Sequence, residues 1–154
     1  MRKEPWAGGL LIAVALIASG CSGGRPPSNL GASEGRLAPC PSSPNCVSSQ
    51  ADAAGQRVEP LRYDADQGAA RAKLLGTLNG MERARIVRAD ADYIHVEFRS
   101  AVFGFVDDVE FLFGAPGVIQ VRSASRIGYY DFGVNRDRVE AIRTRFAASG
   151  GNNR

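Results

Sequence analysis

Residues 93–113, YIHVEFRSAVFGFVDDVEFLF, alternate between apolar and polar side chains and predict two β-strands that pair with each other. Successive side chains of a strand point to opposite faces, so each strand has an apolar face and a polar one. The apolar face is predicted to carry Ile94, Val96, Phe98, Phe105, Asp107, Val109, Phe111 and Phe113. The opposite face carries Tyr93, His95, Glu97, Arg99, Asp108, Glu110 and Leu112.

The flanking sequence adds strands on both sides of this pair. Ala115-Pro116-Gly117 predicts a turn that leads into a further strand over residues 118–123. Residues 85–87 predict a strand that precedes the pair, and residues 58–63 predict a short strand at an edge, where Pro60 is tolerated. Strands in this succession are expected to be antiparallel neighbours.

Two helices are predicted, one before the strands and one after them. The first covers the alanines and leucines between residues 69 and 78, with Asp66 as its N-cap. The second runs from about Asn135, its predicted N-cap, to Phe146. These elements predict an α+β fold in which an antiparallel sheet of four to five strands is packed on one face by two helices.

The N-terminus has the layout of a bacterial secretory signal. Basic Arg2 and Lys3 precede an apolar stretch over residues 10–18, which is too short to span a bilayer because spanning needs about 20 residues. The small residues that follow end at Cys21, and this ending resembles the lipobox of lipoproteins, with Ala18 where leucine is usual. We therefore expect a lipoprotein signal peptide over residues 1–20 and lipidation of Cys21, by diacylglycerol on the thiol and an acyl group such as palmitate on the amine.

The chain that remains after removal of the predicted signal peptide is long enough for one domain. Residues 21–38, rich in glycine, proline and serine, predict a flexible tether, residues 39–148 a single α+β domain, and residues 149–154 a disordered tail. Ser22 follows the lipid acceptor where an aspartate would favour inner-membrane retention, so the expected location is the outer membrane, facing the periplasm. The net charge of +3 with interspersed signs gives no case for binding nucleic acid.

Cys40 and Cys46 remain as a pair once Cys21 is lipidated. An even number of cysteines in an oxidising compartment predicts a disulfide, and Pro41, Pro44 and Asn45 favour a turn between the thiols. Metal binding is the alternative, although a zinc site needs four ligands and the chain adds a single histidine. We expect neither a metal nor another cofactor.

Three motifs in order resemble the DUF1499 family. They are CPSSPNCVSSQ at 40–50, YIHVEFRSAVFGFVDDVEF at 93–111 and IQVRSASRIGYYDFGVNRDRVEAIR at 119–143. The resemblance covers nearly the whole chain from residue 40 to residue 146. It implies a single compact domain that is often secreted or tethered to a membrane, in a family whose function is not established, and it carries no reaction, cofactor or ligand.

The charged sheet face has two interpretations. A hairpin centred on Phe103-Gly104 places Arg99 opposite Asp108 and Glu97 opposite Glu110, while the next turn places Glu110 opposite Arg122. Cross-strand ion pairs explain most of these charges without a ligand. The alternative is a polar pocket for a small ligand, with Arg99, Asp108, Glu110 and Arg122 as candidate binding residues and with Tyr93 and His95 at its edge.

The loop over residues 122–135 is a second candidate binding site. Ser125, Arg126, Asp131 and Asn135 lie in it, and the N-terminus of the following helix could bind a phosphate or carboxylate. The simpler interpretation pairs Arg126 with Asp131 or Asp107.

Two classes of function follow from these candidate residues. The first is a non-enzymatic envelope lipoprotein that binds a small ligand or an envelope protein. The alternative is an undescribed hydrolase or metal-dependent enzyme that uses Asp107, Asp108, Glu110 and His95. We favour the first, because no G-x-S-x-G surrounds any serine and His95 on a strand is more often a surface residue.

Overall fold

The structure, a computed structural model, describes residues 24–64 and 66–149. The strands are β1 (Ala32–Ser33), β2 (Arg36–Leu37), β3 (Cys46–Ser48), β4 (Leu61–Arg62), β5 (Ala84–Ala89), β6 (Tyr93–Arg99), β7 (Val106–Ala115) and β8 (Val118–Ser125). The helices are α1 (Gln67–Asn79) and α2 (Val134–Ala148).

Six strands form one antiparallel sheet in the order β3-β8-β7-β6-β5, with β4 also pairing with β8. Strands β1 and β2 form a separate two-stranded sheet. The predicted α+β class is therefore confirmed, with one strand more in the main sheet than expected. The extra strand is β3, which follows directly from the loop between Cys40 and Cys46.

The predicted apolar face of the sheet forms the core. Ile94, Val96, Val109, Phe111 and Val121 are fully buried there. The helices contribute Leu74, Leu78, Val139, Ile142 and Phe146 to the same cluster. Burial of large apolar side chains contributes roughly 1.5–3 kcal/mol each, so this layer provides most of the driving force for folding.

The two helices begin in different ways. The Asp66 side chain accepts a hydrogen bond from the Ala69 N–H at 3.0 Å, which confirms the predicted N-cap of α1. Helix α2 begins one residue earlier than predicted, and its N-cap is Gly133, with φ at 83°. The prediction that Asn135 is the N-cap is wrong, because the side chain of Asn135 is buried against the sheet instead of closing the first turn.

The strand register confirms one predicted set of pairs and corrects the other. Glu110 lies opposite Arg122, as predicted. In the neighbouring pair of strands Glu97 lies opposite Asp108 and His95 opposite Glu110, so the predicted register of β6 and β7 is wrong by two residues. The loop between these strands is centred one residue earlier than expected, and Arg99 faces Val106 instead of Asp108.

Residues 24–38 differ from the flexible tether that their composition predicts. The Gly31 N–H donates to Glu110 Oε1 at 2.8 Å, and Gly24 O accepts from Arg126 at 3.2 Å. Leu37 is buried with Tyr93 and Leu112 in a small second cluster. The segment therefore lies across the polar face of the sheet and closes it from solvent.

The disulfide between Cys40 and Cys46 is confirmed, with Cα atoms 5.6 Å apart. Within residues 24–64 and 66–149, no helix is long and apolar enough to cross a membrane. The predicted signal peptide over residues 1–20 and the lipid acceptor Cys21 lie outside the described residues. Residues 150–154 of the predicted tail also lie outside them.

Candidate functional site

The polar face of the sheet holds a buried group of charged side chains, which we call the charged cluster. It consists of His95, Glu97, Asp108, Glu110, Arg122 and Arg126. Alternation along β6, β7 and β8 places five of them on this face, and Arg126 reaches it from the residue that follows β8. The prediction that His95 is a surface residue is wrong, because this face is covered.

Asp108 lies at the centre of the charged cluster and is 1% exposed. Its Oδ1 is 2.7 Å from His95 Nε2, and both of its oxygens accept hydrogen bonds from Arg126 at 2.7 and 2.8 Å. Burial alone would raise the pKa of the Asp108 carboxyl, but the bonds from Arg126 and His95 outweigh burial and lower it. Asp108 is therefore a paired carboxylate.

Glu97 shares Arg126 with Asp108. Arg126 Nη2 is 2.6 Å from Glu97 Oε1, and the other carboxylate oxygen accepts from Arg85 at 2.6 Å. Burial opposes ionisation here too, yet the two arginines hold the pKa of Glu97 below its ordinary value. The pKa of Arg126 is raised, first by its hydrogen bond to Asp108, so one guanidinium holds two carboxylates.

Glu110 has a separate set of partners and is fully buried. Its Oε2 accepts from Arg122 Nη1 at 2.9 Å, and its Oε1 accepts from the Tyr93 hydroxyl at 2.8 Å. Burial and the adjacent Glu110 charge raise the pKa of Tyr93, which stays a protonated donor. With the Gly31 N–H bound as well, both carboxylate oxygens are satisfied.

Asp107 lies on the opposite face of the sheet from the charged cluster, as predicted. Its partner is Arg138 of α2, at 2.6 Å, and not Arg126 as expected from the sequence. Because Arg126 pairs with Asp108 and Glu97, its predicted pairing with Asp107 or Asp131 is wrong. The structure does not bring Asp107 together with Asp108, Glu110 and His95.

The loop before α2 holds a second polar network, centred on Asn135. Asn135 Nδ2 donates to Asn45 O at 3.1 Å, to Ser125 Oγ at 3.0 Å and to Asp131 Oδ2 at 2.8 Å. Asp131 also accepts from the Gly133 and Asn135 N–H groups. Although burial would raise the pKa of Asp131, the bonds from Asn135 and Gly133 lower it. The network joins the residue before β3 to β8 and α2.

Arg99 is the exposed member of the predicted binding residues. Its Nη1 donates to Gly104 O at 3.2 Å, within the loop that joins β6 to β7. The structure thus brings Asp108, Glu110, Arg122 and Arg126 together in the charged cluster, Ser125, Asp131 and Asn135 in the loop network, and leaves Arg99 apart.

A cleft of about 490 Å³ opens beside the disulfide. Its lining residues are Ser42, Pro44, Cys46, Val47, Ala53, Gly55, Gln56, Tyr130, Asp131, Gly133 and Arg136. Arg136 donates to the backbone oxygens of Gly55 and Arg57 at 2.9 and 2.8 Å, and Gln56 donates to Pro41 O. These bonds and the disulfide hold the walls in place. Of the predicted binding residues, only Asp131 lines this cleft.

One end of the sheet exposes large apolar side chains on two loops and at the start of α2, and we call it the aromatic end. Its members are Val102, Phe103, Phe105, Ile127, Tyr129, Tyr130, Phe132 and Val134. The Arg126 N–H donates a hydrogen bond to Val106 O, and this bond joins the two loops where they leave the sheet. The sequence reasoning missed this surface, although a strand-connecting loop with two phenylalanines and another with three aromatic residues were visible signals.

The lowered pKa values of Glu97 and Asp108 predict that acid destabilises the domain. A carboxylate with a lowered folded-state pKa contributes stability that is complete above its ordinary pKa of about 4 and is lost as the pH falls through the folded value. We expect Glu97→Gln to lose less unfolding free energy than the wild type between neutral and acidic pH in urea titrations. Glu82→Gln, at an exposed residue, is the matched control and should keep the wild-type slope. Equal slopes for both variants would contradict the pairing of Glu97.

Taken together, the contacts define an α+β fold whose sheet is apolar on one face and closed over paired charges on the other. The chain belongs to the DUF1499 family: the family model, described as a protein of unknown function, matches residues 36–146. No curated protein matches the chain significantly.

Proposed function

We propose that the protein is a lipid-anchored protein of the bacterial cell envelope, held at Cys21 on the periplasmic side of the outer membrane. The basic, apolar and small-residue regions that precede Cys21 support the anchor. The disulfide between Cys40 and Cys46 is consistent with an oxidising compartment. Two or more acyl chains would hold the domain stably at a membrane surface.

The proposed activity is binding and not catalysis, and the pairing of the buried carboxylates is the observation that carries it. Asp108 and Glu110 each bind an arginine and a second protein donor, and residues 24–38 cover them. A general base needs access to a substrate proton, and a hydrolytic metal needs unpaired carboxylates. In the part of the chain that the structure describes, no three ligand-type side chains form a metal-binding group.

The cleft beside the disulfide is the proposed binding site. Its volume is within the range of small-ligand sites, about 300–1,000 Å³. Pro44, Val47 and Ala53 give it apolar walls, and Ser42 and Tyr130 each add a hydroxyl to the lining. Because Asp131 and Arg136 are engaged by protein groups, an uncharged ligand with one or two polar groups fits this site best.

Mass spectrometry of the protein extracted from membranes tests both parts of the proposal. The denatured chain is expected to start at Cys21 with added acyl mass, and the native protein is expected to retain a small-molecule adduct. Ala53→Trp places an indole in the cleft and is expected to abolish the adduct, since Ala53 is an exposed lining residue.

Ala54→Trp is the matched control, because Ala54 is exposed and does not line the cleft. It should keep the adduct. A mature chain without acyl mass would overturn the anchor, and an adduct that is absent from the wild type or unchanged in Ala53→Trp would overturn the binding site.

A further inference from the structure

We propose that the aromatic end of the domain lies in the interface of the bilayer that holds the lipid anchor. The inference rests on the proposed lipidation of Cys21 and goes beyond it, since it assigns an orientation to the domain and a partner to this surface. The partner is the head-group and upper acyl region of a phospholipid membrane.

The described chain begins at the aromatic end. Gly24 lies against the loop that joins β8 to α2, where a Cβ on Gly24 would be 3.3 Å from Ile127 Cγ1. Gly24 O accepts a hydrogen bond from Arg126 Nη1 at 3.2 Å. From there residues 24–38 run over the polar face of the sheet, away from this end, and pair Gly31 with Glu110.

The distance between the aromatic end and a lipid on Cys21 is therefore short. Cys21 precedes Gly24 by three residues, and three residues span at most about 10 Å. A flexible tether of residues 22–38 would instead have reached on the order of 20–25 Å. Since residues 24–38 are packed on the domain, the aromatic end is the part of the domain that a lipid on Cys21 brings to the membrane.

The side chains of this end suit a membrane interface. Tyr129 is 74% exposed, Phe132 84% and Phe103 71%. Aromatic side chains on a water-facing surface are unfavourable, whereas tyrosine and phenylalanine partition into the interface between head groups and acyl chains. Phe132 also has a φ of 56°, a conformation that non-glycine residues rarely adopt, and this turn directs an aromatic side chain to solvent.

The charges support the same orientation. Arg25 and Arg99 are exposed near this end and can pair with lipid phosphates. At the opposite end of the sheet, the turn between β5 and β6 exposes Asp92, while Asp90 is half-buried and paired with Arg88. An anionic membrane surface would attract the two arginines at the aromatic end.

Tryptophan fluorescence in vesicles tests the orientation. The sole tryptophan, Trp6, lies in the predicted signal peptide, so the mature chain has none. We would introduce Tyr129→Trp or Phe103→Trp, one on each loop, and Ala91→Trp as a matched exposed control at the opposite end. Each acylated protein is reconstituted in phosphatidylethanolamine and phosphatidylglycerol vesicles, with or without brominated acyl chains.

Brominated lipid is expected to lower the emission of Tyr129→Trp and Phe103→Trp by about twofold or more, and to leave that of Ala91→Trp unchanged, because an interfacial side chain lies within about 5–10 Å of the acyl chains. Equal quenching of all three variants, or of none, in acylated protein would overturn the docking and leave the anchor intact. A preparation without acyl mass on Cys21 would overturn the anchor and, with it, this orientation.

Discussion

Arg126→Ala is expected to destabilise the domain by about 3–5 kcal/mol, the largest effect of any exchange in the charged cluster. The Arg126 side chain is 5% exposed and binds both Asp108 and Glu97. Its removal leaves two adjacent carboxylates in a buried site with a single arginine, Arg85, bound to one of them. The free energy of unfolding in urea, compared with the wild type, measures the loss.

Two variants make this experiment specific. Arg126→Lys keeps the charge but not the planar fork that reaches both carboxylates, so we expect an intermediate loss. Arg62→Ala removes an exposed arginine of β4 and should change stability by less than about 0.5 kcal/mol. If Arg126→Ala were as mild as Arg62→Ala, the charged cluster would not be the paired structural network described above.

Asn135→Ala is expected to cost about 2–4 kcal/mol, because several buried polar groups lose their partner at once. Asn135 is fully buried, donates to the Asn45 carbonyl and accepts from Ser123 and Arg138. These bonds attach the start of α2 to β3 and β8, so thermal unfolding should begin at a lower temperature. Hydrogen exchange should also be faster at the first turn of α2 than at its end.

The chain offers a matched control for this variant. Asn79 is exposed at the end of α1, and Asn79→Ala should be close to neutral. Asn135→Asp keeps an acceptor for Ser123 but places a second carboxylate beside Asp131, so it should also be destabilised. A neutral Asn135→Asp would show that Asn135 is not the junction of this network.

The register of β6 and β7 is a feature that the alternation of apolar and polar residues did not predict. Alternation placed each side chain on the correct face, since the period of a strand is two. The opposing residues depend on the centre of the hairpin loop, and an error of one residue there moves every pair by two. Glu97 and His95 therefore face Asp108 and Glu110, and two carboxylates lie directly opposite each other. The arginines that neutralise these carboxylates come from β8, from the residue that follows it and from β5.

The partners of Arg126 are a second feature that the sequence did not predict. Arg126 lies three residues beyond the strand predicted over residues 118–123, so the alternation that places Arg122 on the polar face was not extended to Arg126. Its partners lie 18 and 29 residues away in sequence. Asp131 and Asp107 were the predicted partners of Arg126. Asp131 is near it along the chain, and Asp107 was expected near the end of the sheet. The structure shows that pairing with β7 continues past Ser125, through the bond from the Arg126 N–H to Val106 O, and this directs the guanidinium to the polar face.

The packing of residues 24–38 on the sheet is a third feature that the sequence did not predict. Their composition is that of a flexible tether, with few apolar residues to bury. The sheet nevertheless presents a face of buried charges, which are stable away from water only when each is paired or hydrogen-bonded. The Gly31 N–H donates a hydrogen bond to Glu110, and the Leu37 side chain packs against Tyr93 and Leu112. The segment is ordered by its contacts, which its own composition does not reveal.

The sequence by itself determined the α+β class, the two faces of the sheet, the Asp66 cap of α1 and the Cys40–Cys46 pair, because local propensity and periodicity act over a few residues. The tertiary structure decided which charges meet, which segment covers them and which end of the domain exposes its aromatic residues. These depend on long-range register and on loops, where the free energy comes from contacts between residues that are distant in sequence.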